Sequence, residues 1–116
     1  IEKEAISDLD KGFVSRFKSL VEERMKDAEL NVEDLGRNMG MSRVQLYRKL
    51  KSLTNYSPNE LLRQMRLKKA ASLLDSSDMT VAEIAYEVGF SSPSYFTKCY
   101  KEQFGESPTE FLKRRG

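Results

Sequence analysis

The sequence predicts an all-α fold of seven helices, and three observations support this prediction. No run of alternating polar and β-branched residues indicates a strand. Five pairs of residues, three positions apart, fit the capping box, in which two side chains satisfy free N–H groups at a helix start. Each of the three prolines follows a serine, a position where proline opens a helix without losing a hydrogen bond.

The helices follow from these starts and from apolar spacing. A first amphipathic helix is predicted because apolar side chains recur every three or four residues. These are Phe13, Phe17, Leu20, Val21 and Met25. Later starts are predicted by the pairs Asn31/Asp34, Ser42/Gln45, Ser57/Glu60, Thr80/Glu83 and Ser107/Glu110, and by Ser92 before Pro93. The expected helices cover residues 10–28, 31–39, 42–54, 57–75, 80–88, 92–104 and 107–115.

Two of the connections are very short and contain glycine. Gly40-Met41 separates the second and third helices, and Gly89-Phe90-Ser91 separates the fifth and sixth. Two helices joined by such a turn form a helix-turn-helix unit. The sequence therefore predicts two helix-turn-helix subdomains, joined by the long fourth helix.

The two units are imperfect copies of one sequence. The pattern V-x-x-[LI]-[GA]-x-x-[MV]-G-[MF]-S occurs twice, 49 residues apart. After one extra residue in the second copy the offset becomes 50, and Arg48 aligns with Lys98. We expect the matched apolar residues to form two small cores, and the small residues Gly36 and Ala85 to let the helices of each unit approach closely.

Composition excludes most site chemistry. The chain has no histidine and one cysteine, Cys99, which excludes histidine-dependent catalytic relays, histidine-containing zinc sites and an intrachain disulfide. We expect no catalytic residues, metal ligands or cofactors, and we interpret Cys99 as a packed small side chain. No membrane span or secretory signal is predicted, so we expect a cytoplasmic protein. Because the chain begins at Ile1 rather than Met, we expect a piece of a longer polypeptide.

Charge is concentrated in the middle of the chain. Residues 37–69 carry nine basic and one acidic side chain, although the net charge of the whole chain is only +2. Such a local positive region is typical of a surface that faces a polyanion. The alternative is that these lysines and arginines merely lie on helix faces that are exposed to water and bind no partner.

The domain organisation follows from the repeat. Residues 1–30 would form an N-terminal helix that braces the first lobe or links to a missing upstream domain, and residues 31–56 the first helix-turn-helix. Residues 57–76 would form the linker helix, and residues 77–116 the second helix-turn-helix with a supporting helix. About 19 residues of helix span roughly 28 Å, which suits two units on one face of a duplex whose successive major grooves lie about 34 Å apart.

A long motif in the second copy resembles the C-terminal signature of the AraC/XylS transcription regulators. It reads Ala85-x-x-x-Gly89-Phe90-x-x-x-x-Tyr95-Phe96-x-x-x-Tyr100-Lys101-x-x-x-Gly105-x-x-Pro108-x-x-Phe111, and the resemblance covers about residues 31–115. The run from Met41 to Lys51 most resembles the output domains at the C-terminus of bacterial hybrid two-component regulators. The resemblance implies a monomeric module in which the second helix of each unit enters a major groove.

Helical spacing then selects the residues that face the groove. With Leu46, Leu50 and Leu53 buried in the third helix, its outward residues are predicted to read bases. In the sixth helix, Phe96, Tyr100 and Phe104 are expected to face inward. The predicted base-reading residues are Arg43, Val44, Tyr47 and Arg48 in the first unit and Ser94, Thr97 and Lys98 in the second. Because the side chains of the second set are short, we expect the first unit to discriminate more between bases. The second unit would mainly hold the register of the protein on DNA.

A second set of residues is predicted to contact phosphates, which positions the protein without reading sequence. It comprises Lys49, Lys51 and Lys101, together with the helix starts at Ser42 and Ser92. The basic residues of the linker helix, in contrast, are expected to be solvated rather than bound to DNA. These are Arg63, Arg66, Lys68 and Lys69.

The sequence therefore predicts a sequence-specific regulator that binds double-stranded DNA and serves as the output domain of a signal-transduction protein. We expect an activator, although nothing in the sequence excludes a repressor. Expected partners are RNA polymerase and an upstream sensor or receiver domain of the same polypeptide, with no membrane contact by this fragment. A helical protein-interaction module without DNA contact is the alternative, and an enzyme is a remote third.

Overall fold

Seven α-helices lie within residues 7–116, which are the residues that the computed structural model describes. They are α1 (Asp8–Arg24), α2 (Val32–Asn38), α3 (Arg43–Thr54), α4 (Pro58–Ser76), α5 (Val81–Glu87), α6 (Pro93–Phe104) and α7 (Pro108–Arg115). No strand occurs in this part of the chain, and the predicted all-α class is confirmed. Residues 1–6 of the predicted segment 1–30 lie outside the described residues.

The helices begin where the capping pairs predict. Complete capping boxes are present at Ser42, Ser57, Thr80 and Ser107, with each cap and its partner three residues later exchanging hydrogen bonds. The fifth box is only half formed. The Asp34 N–H donates to Asn31 Oδ1 at 2.9 Å, but the Asp34 carboxylate accepts a hydrogen bond from Arg37. The prediction at Asn31 was therefore right about the helix start and wrong about the reciprocal bond.

Helix α1 ends at Arg24, four residues before the predicted end at residue 28. The carbonyl oxygens of Met25 and Asp27 instead accept hydrogen bonds from Arg66, at 3.2 Å to Nε and 2.8 Å to Nη2. Carbonyls at the end of a helix have no partner within it, and Arg66 supplies donors for two of those just beyond α1.

The described residues divide into two compact units. The first contains residues 7–24 and 29–62, and the second contains residues 25–28 and 63–116, so that α4 contributes residues to both. In the first unit, Arg16 of α1 donates to the Asn38 carbonyl at the end of α2 at 2.9 Å. Its buried apolar side chains come from all four of its helical segments and the loop before α2. They are Phe17, Val21, Leu30, Val32, Leu35, Met39, Leu46, Leu50, Leu61 and Leu62.

The second unit has its own core, which is richer in aromatic rings. Its buried residues are Leu67, Ala70, Leu74, Ile84, Ala85, Val88, Phe90, Phe96, Cys99 and Tyr100. The prediction that Phe104 faces inward was wrong, because its side chain is 40% exposed. Phe104 is the last residue of α6. Its ring packs on that of Tyr100, with 4.6 Å between the centroids, and the part of the ring not covered by Tyr100 faces solvent.

Among residues 7–116, no helix combines the length and the apolar composition that a membrane crossing requires.

Candidate functional site

The turn between the two helices of each unit has the same hydrogen-bond geometry. The Met41 N–H donates to the Gly36 carbonyl at 2.8 Å, and the Phe90 N–H donates to the Ala85 carbonyl at 2.9 Å. The turn glycines Gly40 and Gly89 have φ of +69° and +98°, which glycine adopts without the strain of a Cβ atom. The duplicated sequence thus folds into a duplicated turn.

The small residue in the first helix of each unit sits where the turn approaches most closely. A Cβ atom on Gly36 would lie 2.8 Å from the Met41 carbonyl oxygen, closer than real Cβ atoms come to any neighbour. Ala85, at the matching position, is completely buried. The need for a small residue at Gly36 is confirmed, although its close neighbour is the turn backbone at Met41 rather than the second helix.

Helix α3 presents the residues predicted to read bases. Leu46 and Leu50 are completely buried, whereas the side chains of Val44 and Tyr47 are 56% and 47% exposed. Arg43 and Arg48 are also exposed. The Arg43 guanidinium lies 3.7 Å from a carboxylate oxygen of Glu33 in α2. Arg48 makes no hydrogen bond or ion pair within residues 7–116, so its five donors face solvent.

Helix α6 presents a shorter outward set. Ser94 and Lys98 are exposed, Thr97 is half-buried, and Phe96 and Tyr100 are buried beneath them. Like Arg48, Lys98 forms no ion pair with any residue that the structure describes.

The predicted phosphate-binding residues lie in different settings. The caps Ser42 and Ser92 each accept an N–H three residues later at 3.2 Å. The Lys51 amino group lies 3.9 Å from Glu60 in the first unit. At the matching position of the second unit, Lys101 helps to hold the pKa of Glu110 below its usual value, after the larger effect of the hydrogen bond from Ser107.

Lys49 is placed differently from the other lysines of this set. Its amino group lies 3.7 Å from Asp10 and 5.0 Å from the centre of the Phe13 ring, both in α1. The side chain is half-buried at the edge of the helix rather than at the centre of its outward face. Any contact of Lys49 with a phosphate would have to replace these neighbours.

The prediction that all four basic residues of the linker helix are solvated was wrong for Arg66. Arg63, Lys68 and Lys69 are exposed, but Arg66 is half-buried and binds the connector at residues 25–28. Burial lowers the pKa of the Arg66 guanidinium, and the charge of Asp27 partly opposes that shift. Sequence spacing carried no signal for this contact because its partners are backbone atoms 39 to 41 residues away.

Tyr95 is an outward residue that the sequence analysis did not assign to the site. It follows Ser94 in α6, and its side chain is 49% exposed, with its ring 5.8 Å from that of Phe90. A hydrogen bond with Cys99 is the largest cause that raises the pKa of its hydroxyl. Cys99 itself is buried, as predicted.

Two similar turns, each followed by a helix with an exposed cation, are the geometry of a paired helix-turn-helix protein. A protein-family profile described as "Helix-turn-helix domain" matches residues 35–114, and this profile is of the AraC/XylS type. The chain belongs to the AraC/XylS family of transcription regulators. The AraC/XylS resemblance seen in the sequence is therefore confirmed for this AraC-type domain.

Individual relatives agree with this family. The chain is 37% identical over 109 residues to "Histidine kinase P4" of Formosa agariphila, a match that covers 94% of this chain and 8% of the kinase. This AraC-type domain therefore corresponds to a small part of that relative. The C-terminal domain of the response regulator AraT from Geobacillus stearothermophilus has a similar structure, with a TM-score of 0.82 and 28% identity over 94% of this chain and 87% of that one.

A further solved structure was determined with nucleic acid. The DNA-binding domain of the global transcriptional factor AdpA, in complex with a target DNA, matches with a TM-score of 0.81 and 30% identity. The match covers 86% of this AraC-type domain and 89% of the AdpA chain.

Proposed function

We propose that this domain binds double-stranded DNA sequence-specifically, with α3 and α6 each entering a major groove. The observation that supports this most strongly is the recurrence of one turn geometry. Each turn is followed by a helix with an exposed cation, at the same position, that forms no ion pair with any of residues 7–116. Those cations are Arg48 and Lys98. Exposed cations on a helix that follows such a turn match the way helix-turn-helix proteins approach base edges.

The proposed division of labour follows the length of the outward side chains. In α3, Arg43 and Arg48 have the forked geometry that binds guanine through two acceptors, and Val44 and Tyr47 suit contact with a thymine methyl group. The outward side chains of α6 are shorter than those of α3 or carry fewer hydrogen-bond donors. They are Ser94, Thr97 and Lys98. We therefore assign most base discrimination to the first unit and the maintenance of register to the second.

Phosphate contacts are proposed for a separate set of residues. Lys51 and Lys101 lie two turns or more from the helix starts, and each already lies near the capping glutamate of the next helix. The helix starts at Ser42 and Ser92 offer backbone N–H groups to phosphate oxygens. Lys49 can contact a phosphate only when its amino group moves away from Asp10 and Phe13 of α1.

The whole protein is proposed to be a signal-transduction regulator of which this chain is the output domain. The similarity to part of a histidine kinase and to a response-regulator domain supports this proposal. An upstream sensor or receiver domain in the same polypeptide would control DNA binding, and RNA polymerase would be the partner if the protein is an activator. Binding to chromosomal DNA implies a cytoplasmic location, and the binding role requires neither an enzymatic activity nor a cofactor.

Selection from random duplexes with the 116-residue chain tests this function. We expect enrichment of two short motifs whose centres lie about one helical turn apart, near 10.5 base pairs. A variant with both Arg48→Ala and Lys98→Ala is the control, and its helical circular dichroism should match the wild type. If the wild-type chain enriches no sequence, sequence-specific recognition is wrong, and a protein-interaction role takes its place.

A further inference from the structure

Two cations of α3 are held by acidic residues on the neighbouring helices of the first unit. Lys49 lies 3.7 Å from Asp10 of α1, and Arg43 lies 3.7 Å from Glu33 of α2. Both distances exceed a hydrogen bond, and the side chains of Arg43 and Glu33 are 62% and 57% exposed. Loose, solvated pairs of this kind are weak, so that a competing anion can displace the carboxylate.

These pairs flank the face that is proposed to meet DNA. On a helical projection, Arg48 and Val44 lie near the centre of the face opposite Leu46 and Leu50, because successive residues are about 100° apart. Lys49 lies at one border of that face, about 100° from Arg48, whereas Arg43 is the first residue of α3 and lies on the side nearer Leu50. The acidic partners therefore neutralise one border and the N-terminal end of the helix, whereas Arg48 at the centre of the face makes no ion pair within residues 7–116.

The second unit lacks both the cations and their partners. Pro93 occupies the position that matches Arg43, and the buried Cys99 occupies the position that matches Lys49. Ala82 stands where the first copy has Glu33. The Arg43/Glu33 pair is thus present in one copy and absent from the other, whereas Asp10 belongs to α1, which the repeat does not include.

A third pair does not follow this pattern. Lys51 and Glu60 recur as Lys101 and Glu110, and both glutamates belong to capping boxes. We attribute that pair to the repeat itself, and the two pairs of the first unit to a separate role.

We propose that Asp10 and Glu33 limit the DNA affinity of the first unit, which they lower by occupying Lys49 and Arg43. The proposal rests on the proposed DNA-binding function. Counterion release from phosphates supplies nearly all non-specific affinity, and each cation that is already neutralised contributes less to it. Two carboxylates beside the groove face also repel the phosphates directly. The contacts of Arg48 with bases then supply a larger fraction of the binding free energy than they would if Lys49 and Arg43 were free.

The test compares Asp10→Asn and Glu33→Gln with wild type on a random duplex of about three helical turns over a range of salt concentrations. Each variant should bind about two- to fivefold more tightly at low salt, the range expected when a surface pair is broken. The slope of log affinity against log salt should steepen by up to about 0.9 for each freed cation. For Asp10→Asn, affinity for a selected sequence should rise by a similar factor, because a phosphate contact acts on all sequences alike. For Glu33→Gln it should rise by a larger factor, because Arg43 is also proposed to read bases.

Glu22→Gln provides the matched control. Glu22 is an exposed residue of the same α1 helix, twelve positions after Asp10, and the substitution changes the net charge equally. If Asp10→Asn and Glu33→Gln alter affinity and salt slope no more than Glu22→Gln does, the proposal is wrong, and the pairs serve only to pack α1 and α2 on α3. A merely structural pair would lower the melting temperature without raising DNA affinity.

A second comparison isolates Lys49. Lys49→Ala should lower random binding by a larger factor in the Asp10→Asn background than in the wild-type background, because Asp10 no longer competes with phosphate for the lysine. Equal losses in both backgrounds would overturn the assignment. Failure of the wild-type chain to bind any duplex would instead refute the proposed function itself, so the two failures are distinguishable.

Discussion

The two helix-turn-helix units share a backbone but differ in the side chains that fill and cover it. The hydrogen bond that closes each turn differs in length by only 0.1 Å between the copies. The buried residues of α3 are the aliphatic Leu46 and Leu50, whereas those of α6 include the rings of Phe96 and Tyr100, whose centroids lie 5.8 Å apart. The same turn therefore tolerates two ways of filling a small core, provided that its close contacts and its glycine are kept.

The outward faces differ more than the cores. Helix α3 carries arginines and a tyrosine with acidic partners nearby, whereas α6 carries a proline, a serine, a threonine and one lysine at the matching positions. Packing requires the inner face of each copy to stay apolar, whereas the charge and polarity of the outer face are free to change. The difference between the copies is therefore the part of the molecule where we place sequence discrimination.

The largest expected effect separates the two turn glycines. A Cβ on Gly89 would lie 2.0 Å from the Met25 carbonyl oxygen and 2.7 Å from Arg66 Nε, whereas one on Gly40 would meet nothing within 4 Å. Gly89→Ala should lower the free energy of unfolding of the second unit by about 3 kcal/mol or more, because strain and a backbone clash add. Gly40→Ala should cost about 1–2 kcal/mol from strain alone. Amide exchange of each unit measures both, and equal costs would refute the tight contact at Gly89.

The next effect separates the two exposed cations. Arg48→Ala should cost about 1–3 kcal/mol in binding to the selected sequence and should relax the preference at one base position. Lys98→Ala should reduce discrimination less, and Lys101→Ala should weaken all sequences alike. Affinities for a set of single-base variants of the selected duplex measure these effects. If Arg48→Ala lowered affinity equally for selected and random duplexes, the assignment of Arg48 to base reading would be wrong.

A smaller effect separates the residues that end α3 and α6. Asn55 and Gly105 both adopt the left-handed conformation, with φ of 67° and 82°. Gly105→Ala should cost about 1 kcal/mol of stability, because alanine lacks both the freedom of glycine and the local hydrogen bonding of asparagine. Asn55→Gly should change stability by only a few tenths of a kcal/mol. Chemical denaturation measures both, and a cost for Asn55→Gly as large as that for Gly105→Ala would show that Asn55 has a further role.

The smallest expected effect concerns acid. Two hydrogen bonds from Arg114, at 3.1 and 2.7 Å, hold the pKa of the Glu106 carboxyl below its usual value. Because the folded pKa is below the unfolded one, this carboxyl contributes stability above the unfolded pKa and loses it as the pH falls through the folded value. Tyr56 matches Glu106 in the first unit and carries no carboxylate. Amide exchange of the second unit should therefore depend less on acid in Glu106→Gln, and an unchanged acid dependence would exclude a role for this pair.

Features that depend on neighbouring residues were predictable from sequence. Ser42, Thr80 and Ser107 start helices because each cap and its partner lie three residues apart, and the short range of that interaction leaves little for the rest of the fold to change. The glycine turns and the two cores were predictable for a related reason, since the repeat showed which residues share a role.

Features that depend on distant contacts were not predictable. The half-burial of Arg66 depends on its hydrogen bonds to the connector after α1, between residues about 40 positions apart. Likewise, the position of Lys49 is set by Asp10 and Phe13 on another helix, so helical spacing alone assigned it to the phosphate-binding set. Phe104 kept the spacing of a core residue but lies at a helix end, where no further turn covers it.

The central claim is that both copies bind DNA, one chiefly reading bases and the other chiefly holding register. Backbone amide exchange of the chain, measured free and bound to a duplex obtained by selection, tests this directly. The account predicts that amide exchange becomes slower on DNA binding in both α3 and α6, around Arg48 and Lys98. Changes confined to a single copy, or to α1 alone, would contradict it.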